Sequence, residues 1–335
     1  MIRNDMNSRR LVSDVKRRIE LASANGSVPV VDLSRRALDV TDLAAFQRDG
    51  VIVIRGAICA AERQGADEAS RRLIERAWQN PGERDFVSAV FSGQPEPVPY
   101  KIDYLLDKDS AFRILAANPS LLTVVGAIVG PSFIPTWETL VFKDKVAGPR
   151  LPWHRDCAAY ESPVAVGGSG RQVDAGIYLD PSRPGNCVRC LPGSCYWPAD
   201  VAAEAISALN ADWDDYPGVP VLAEAGDVVL HNILTVHSAP EVRCDERRVV
   251  YYEYRPAEVE IGLGPHNARY VAQKQRVLRE CIAERAASYL GRAERGFRYE
   301  PPDELSLGDA AGAAGGYRIA HADYWTWTHV EPEPK

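Results

Sequence analysis

Six histidines are spread along the 335 residues, few enough to weigh one at a time. His154 stands in LPWHRD, two positions before Asp156. On extended backbone, positions i and i+2 point to the same side, so this imidazole and this carboxylate can reach one ion together. His237, in LTVHSAP, follows the strand-like run DVVLHN and offers a third ligand from a distant part of the chain. Two histidines and one carboxylate on one face of an ion make the facial triad of non-heme Fe(II) oxygenases, which leaves three positions open for a co-substrate and O2. An HxD pair alone recurs by chance, and His321-Ala-Asp323 repeats it in this chain. Only 12 residues follow that second pair, and the later His329 has no arginine-bearing strand after it, so the second pair reads as structural.

The first pair differs in having such arginines downstream. An α-keto acid that chelates iron through its keto oxygen and one carboxylate leaves its far carboxylate in need of a cation. Arginine suits that task, because its planar fork gives two parallel hydrogen bonds and stays charged when buried. Arg247 and Arg248 open the strand RRVVYYEYR, 10 and 11 residues after His237, a length that fits a hairpin returning beside the distal histidine. Alternation leaves the choice open. One face holds Arg248, Val250, Tyr252 and Tyr254, the other Arg247, Val249, Tyr251 and Glu253.

Other side chains invite weaker readings. Trp137 and Glu138 lie in the strand before the HxD, and one of them faces the substrate if the barrel reading holds. Tyr178 shares a strand face with Asp174 and Gly176, a polar face able to line a pocket. His231, six residues before His237, reads as a satisfied pocket or core histidine rather than a ligand. Cys187-Val-Arg-Cys190, with Cys195 nearby, lacks the second pair that a structural zinc site needs.

These residues need strands to position them. From residue 133 on, TWETLVFKDK, QVDAGIYLD, CVRCL, VPVLA, DVVLHN and RRVVYYEYR are each bounded by Gly, Pro, Asp or Asn, which predicts a closed or two-sheet β core with helices outside. Before it, GVIVIRGAI reads as a buried strand. Helices are expected at Thr41 to Arg48, at about residues 60–79, and after Asn118-Pro119. A further helix, Asn267 to Leu290, reads as a solvated exterior helix, and it or the tail is a candidate lid. The expected organisation is a loose arm or loose helix over residues 1–28, then one domain over 29–335 whose helical extension begins near 265. Length alone suggests two domains, but ligands at 154, 156 and 237 must share one interior.

Composition sets outer bounds. The chain carries 39 basic and 46 acidic side chains, a net charge of −7, with no Lys/Arg run to bind nucleic acid or an anionic membrane. Seven scattered cysteines are not a disulfide framework, and the charged N-terminus lacks a signal core, which points to the cytoplasm. Whether the chain is a monomer or a homodimer is not legible.

At HRD, the distal His237 and the trailing arginine, the sequence resembles the phytanoyl-CoA dioxygenase (PhyH-like) branch of Fe(II)/2-oxoglutarate oxygenases. DLAAFQRDGVIVIRGAI, FKDKVAGPRLPWHRD, LDPSRPGNCVRCLPGSC and AGDVVLHNILTVHSAP extend the resemblance over roughly residues 40 to 255. It implies a mainly β fold with flanking helices around a double-stranded β-helix (jelly-roll, cupin-like) core. It also implies Fe(II), with 2-oxoglutarate and O2 as co-substrates. His154, Asp156 and His237 would be the iron ligands, Arg248 the 2-oxoglutarate anchor by family spacing with Arg247 second, and Lys101 a further basic contact. Trp137 and Tyr178 are the candidate substrate contacts. Cys195 stands where the family's PGSH histidine usually sits, and Ala239 where a hydroxyl is common. The implied reaction is oxidation of a C–H bond of a small molecule, as in natural-product tailoring: hydroxylation, desaturation, epimerisation or ring closure. Related halogenases have a small residue in place of Asp156, so halogenation is not expected. The competing readings are a cupin-type metal enzyme without 2-oxoglutarate and a non-catalytic binding module on the same fold.

Overall fold

Local chemistry starts the elements where the sequence expects them. The Asn118 side chain accepts from the Leu121 N–H and Pro119 fills the first turn, where its missing donor costs nothing. Asp39, rather than Thr41, caps the helix Val40–Asp49, in a reciprocal capping box with Asp42. The computed structural model describes residues 14–24, 26–90, 95–143, 148, 150–156, 171–211, 217–241, 246–262, 266–305 and 316–320. The second HxD pair, and all but the last residue of the Gly/Ala stretch GDAAGAAGG, lie outside them.

In chain order the elements are α1 (14–23), β1 (Val30–Asp32), α2 (Val40–Asp49), β2 (Val51–Arg55), α3 (Ala60–Gln79), β3 (Phe86–Ala89) and β4 (Val98–Asp103). Three helices follow, α4 (Leu105–Lys108), α5 (Ser110–Ala116) and α6 (Pro119–Val129), then β5 (Phe133–Lys143), β6 (Leu151–His154), β7 (Val173–Tyr178) and β8 (Val188–Cys190). The remainder is α7 (Ala199–Ala211), β9 (Val219–Val221), β10 (Val228–Asn232), β11 (His237–Ala239), β12 (Arg247–Pro256), α8 (Ala257–Gly262) and α9 (Ala268–Ala287). Two sheets result, of eight strands in the order β1-β2-β10-β7-β12-β5-β4-β3 and of four in the order β6-β11-β8-β9. All pairings are antiparallel except β1 beside β2. This is the jelly-roll, with helices on both outer faces.

Alternation assigns each strand residue to a layer. In β2, Ile52 and Ile54 join the core shared with the helices, while Val51 and Val53 join the core between the sheets. Each such burial contributes roughly 1.5–3 kcal/mol. In β12 the same rule sends Val250, Tyr252 and Tyr254 to the helices and Val249 and Tyr251 to the interior. A third cluster covers the outer face of the small sheet, where Trp153 and Leu191 meet α7 and α1. Residues 14–23, in the stretch expected to be a loose arm or a loose helix, form a helix that is docked rather than loose, held by Val15 and Ala22.

The helix α9 also departs from expectation. It is not a solvated exterior helix: Val271, Val277, Leu278 and Cys281 are buried in the main core, and its charges find partners inward. Lys274 and Glu138 are both fully buried, 3.3 Å apart, and Arg285 pairs with Glu62 and Glu294. Among the described residues no single helix is long and apolar enough to cross a membrane, and the bent pair α5–α6 is packed into the core.

A buried pair is costly to break and cheap to replace whole. Lys274→Met is expected to lower stability by roughly 3–5 kcal/mol in denaturant titration, and the double variant Glu138→Leu/Lys274→Met to recover most of it. Equal losses in the single and double variants would show that the ion pair is not what α9 depends on.

Candidate metal centre

Strands β6 and β11 pair so that His154 lies directly opposite His237, with ring centroids 4.2 Å apart. Just beyond β6, the Asp156 N–H donates to the Ile233 carbonyl at 3.0 Å, which turns the carboxylate back toward the rings. Asp156 Oδ1 then lies 3.3 Å from His154 Nε2 and 3.5 Å from His237 Nε2. The three ligand atoms fall within 4.8 Å of one another.

The donor set fits an Fe(II)-type ion. Two ligands each about 2.0–2.2 Å from one ion, at angles between right and tetrahedral, stand roughly 2.8–3.6 Å apart. Both histidines are also oriented for it. His154 Nδ1 is 2.8 Å from the Pro152 carbonyl and His237 Nδ1 is 2.9 Å from the Thr235 carbonyl. A carbonyl only accepts, so Nδ1 carries the proton and Nε2 keeps its lone pair for the ion. Desolvation pushes His237 down to about 3, with His154 and His231 adding to it against the Asp156 charge, so the ring is neutral and ready to ligate. Lost solvation opposes ionised Asp156, yet its bonds with His154 and His231 hold its carboxyl well below the usual range. For His154 lost solvation opposes the charged form, but the bond to Asp156 outweighs it and the ring titrates above its ordinary value. Neither CxxC cysteine belongs to a group of metal-ligand geometry among the described residues.

Four strands of the large sheet present one interior row beside this centre: Trp137, Glu253, Asp174 and His231, each directly opposite the next. His231 Nε2 lies 2.7 Å from Asp156 Oδ2, a contact that spacing alone does not reveal. Burial pushes Asp174 up to about 8, with Asp156 and Glu253 adding to it against His231. Glu253 accepts from Arg255 Nε at 2.8 Å and from the Thr136 hydroxyl. Trp137 faces inward and donates to Asp103 Oδ1 at 3.2 Å, while Glu138 faces the helices. One row further, Gly176 has room for no side chain, since a Cβ would stand 2.7 Å from Tyr251 Cε1.

The far end of the same face is cationic. Arg247 lies opposite Lys143. It is 3% exposed, donates to the Asn186 carbonyl at 2.6 Å, and its Nε has no hydrogen-bond partner. Burial and the Arg247 charge press Lys143 well below its usual value. Tyr178, 1% exposed, faces this end; burial pushes its hydroxyl up against the pull of Arg247. Arg248, which family spacing puts first, is on the other face. Its guanidinium is engaged by Asp180 at 2.7 and 2.8 Å, Ser70 at 3.0 Å and Asp67 at 2.5 Å, tying β12 to α3. The reason is register: Arg248 shares its face with Val250 and Tyr252, which the helices cover. Lys101 is on the interior face, but its ammonium sits 3.4 Å from Asp103 Oδ2 and 5.3 Å from the Trp137 ring centroid, away from Arg247.

Comparison with known proteins agrees with this architecture. EvdMO1 is 27% identical over 64% of this chain with a TM-score of 0.53, and the match spans about half of that protein, 49%. AviO1 from Streptomyces viridochromogenes Tue57 is 26% identical, covering 65% of this chain and 96% of its own, with a TM-score of 0.54. SnoK, a non-heme alpha ketoglutarate dependent carbocyclase from nogalamycin biosynthesis, shares the fold at 18% identity and a TM-score of 0.53, over 66% of this chain and 85% of its own. No curated protein matches. The profile of the phytanoyl-CoA dioxygenase (PhyH) family matches residues 46–250, so the chain belongs to that family and is a non-heme iron, 2-oxoglutarate-dependent oxygenase.

Proposed function

We propose that this oxygenase oxidises an unactivated C–H bond of a free small molecule. His154, Asp156 and His237 hold the iron, and Arg247, not Arg248, holds the far carboxylate of 2-oxoglutarate. The observation that carries this reading is the interior face of β12 and its neighbours, which runs from metal ligands at one end to an unpaired cation at the other. Among the described residues Arg247 forms no ion pair, and a buried guanidinium without a counter-charge is unfavourable until an anion arrives. A dicarboxylate that chelates the ion with one end supplies that anion with the other. Lys143, whose charged form burial and Arg247 disfavour, stands beside it, and Tyr178 lines the path from the ion to the guanidinium.

Bound iron supplies, with O2 and 2-oxoglutarate, the oxidising power for C–H cleavage, and the protein orients and shields. Trp137 presents an apolar ring to the substrate side, where Asp174 and Glu253 offer carboxylate oxygens to a hydroxylated or amino substrate. Tyr251, lying over Gly176, closes the space between substrate and co-substrate ends. Asp156 fills the position that a halide would need, so oxidation without halogen transfer is the outcome. The fold shared with SnoK, an enzyme of nogalamycin biosynthesis, accommodates such a tailoring role.

Two measurements test this. Anaerobic addition of Fe(II) and 2-oxoglutarate is expected to give the weak visible charge-transfer band of the chelate, lost in His154→Ala; an unchanged band in that variant would refute the ligand assignment. Arg247→Leu is expected to raise the 2-oxoglutarate KM in uncoupled succinate release roughly 10- to 100-fold, the value of a charge-assisted bond pair. Arg248→Leu is expected to lower the melting temperature and leave that KM near wild type. The reverse pattern would return the anchor to Arg248.

A further inference from the structure

His231 is the histidine that the triad does not use, yet it is bonded to it. It projects from β10 into the interior, with its side chain 11% exposed, and its ring lies 4.9 Å from that of His237. Its Nε2 is 2.7 Å from Asp156 Oδ2, while Oδ1 of the same carboxylate faces His154 and His237. The carboxylate thus divides its two oxygens between two tasks. A ligating carboxylate only accepts at its second oxygen, so at 2.7 Å His231 Nε2 carries the donated proton. Behind His231 stands Asp174, its direct partner across the β10–β7 ladder, whose Oδ1 is buried without a hydrogen-bond partner.

We propose that His231 is a positioning residue for the metal centre. It holds Asp156 Oδ2 turned away from the ion, so that the carboxylate ligates through Oδ1 alone. The inference rests on the metal-site reading above and deepens it. A carboxylate free to rotate can chelate through both oxygens and take up a position that a bidentate co-substrate needs. Hydrogen bonding that orients a ligating carboxylate also sharpens metal affinity.

One other arrangement uses the same atoms. Asp156, Asp174 and His231 bring ligand atoms within 4.8 Å of one another, so the trio is itself a possible site for a second ion bridged through Asp156. Distance argues against it. An ion shared by two ligands at about 2.0–2.2 Å each, at a right angle or wider, keeps them at least about 2.8 Å apart, and the separations at Oδ1 are 3.3 and 3.5 Å. The 2.7 Å separation at Oδ2 is too short for that and is an ordinary hydrogen bond.

Titration of the apo protein with Co(II), followed by its visible d–d bands, tests the proposal without turnover. Wild type is expected to bind one Co(II) per chain. His231→Leu should bind it about 10- to 100-fold more weakly with shifted bands, the usual effect of losing an orienting partner. His231→Gln, whose side-chain amide still donates toward Asp156, should restore most of the affinity and the wild-type bands. Similar apo melting temperatures for the two variants would confirm that the difference is one of orientation. Unchanged affinity and bands in His231→Leu would overturn the proposal. So would two Co(II) per wild-type chain with one lost in His231→Leu, because His231 would then be a ligand. No Co(II) binding by wild type would instead overturn the metal reading, and this inference with it.

Discussion

The site depends on one strand pairing. β6 and β11 are separated by more than 80 residues of chain, yet they run antiparallel with His154 opposite His237. A one-residue slip in that short ladder would send one imidazole to the outer face, among Trp153, Leu191 and α7. The ladder is held from both sides. Cys190 of β8 sits opposite His237 on the other edge, and Ser238 Oγ donates to the Leu151 carbonyl at 2.8 Å. The packing of α1 and α7 on Trp153 then fixes the small sheet from outside. The α1 segment, far from the ligands in sequence, thereby contributes to their register.

The same alternation that places the ligands separates two adjacent arginines by function. Arg247 and Arg248 are chemically identical, and both are nearly devoid of solvent contact. Arg248 faces two carboxylates and a hydroxyl, so its charge is fully compensated and its work is to bind β12 to α3. Arg247 faces a lysine, a backbone carbonyl and a tyrosine, none of which neutralises it. Compensation marks the structural arginine, and its absence among the described residues marks the one proposed above to take a carboxylate.

That distinction also shows where the sequence stops being legible. The i, i+2 spacing of His154 and Asp156 and the strand before His237 are readable, because a period of two is local. Which face of RRVVYYEYR turns inward is not, because it is set by pairing with β5 and β7, strands that begin roughly 110 and 70 residues earlier. His231 sits on the readable strand DVVLHN, but its partner Asp156 is brought to it only by the closure of the two sheets. The misreading of α9 has another cause. Its many Arg, Lys, Glu and Gln residues imply a wet surface, whereas Lys274 and Arg285 are buried against Glu138 and Glu62. Charge content predicts exposure only when the partners are unknown. The short strands β3 and β4, which contain Ser, Pro and Lys, carry too little apolar alternation to be seen at all.

The interior is polarised along its length, and this orders the reactants. Ionised Asp156 gives the metal end its negative charge, and Arg247 gives the other end a positive one. Asp156 already has His231 as a partner, so the unfavourable end is that of Arg247, whose guanidinium lacks a counter-charge among the described residues in a medium of low dielectric. On the proposed reading a divalent cation sits at Asp156 and the far carboxylate of a dicarboxylate relieves Arg247. A co-substrate entering reversed would bring its carboxylates toward Asp156 before it met a cation. Polarity thus selects one orientation by repulsion as well as attraction, and it favours the cation entering first, because only its charge makes the carboxylate-lined end hospitable to the chelating group of the co-substrate.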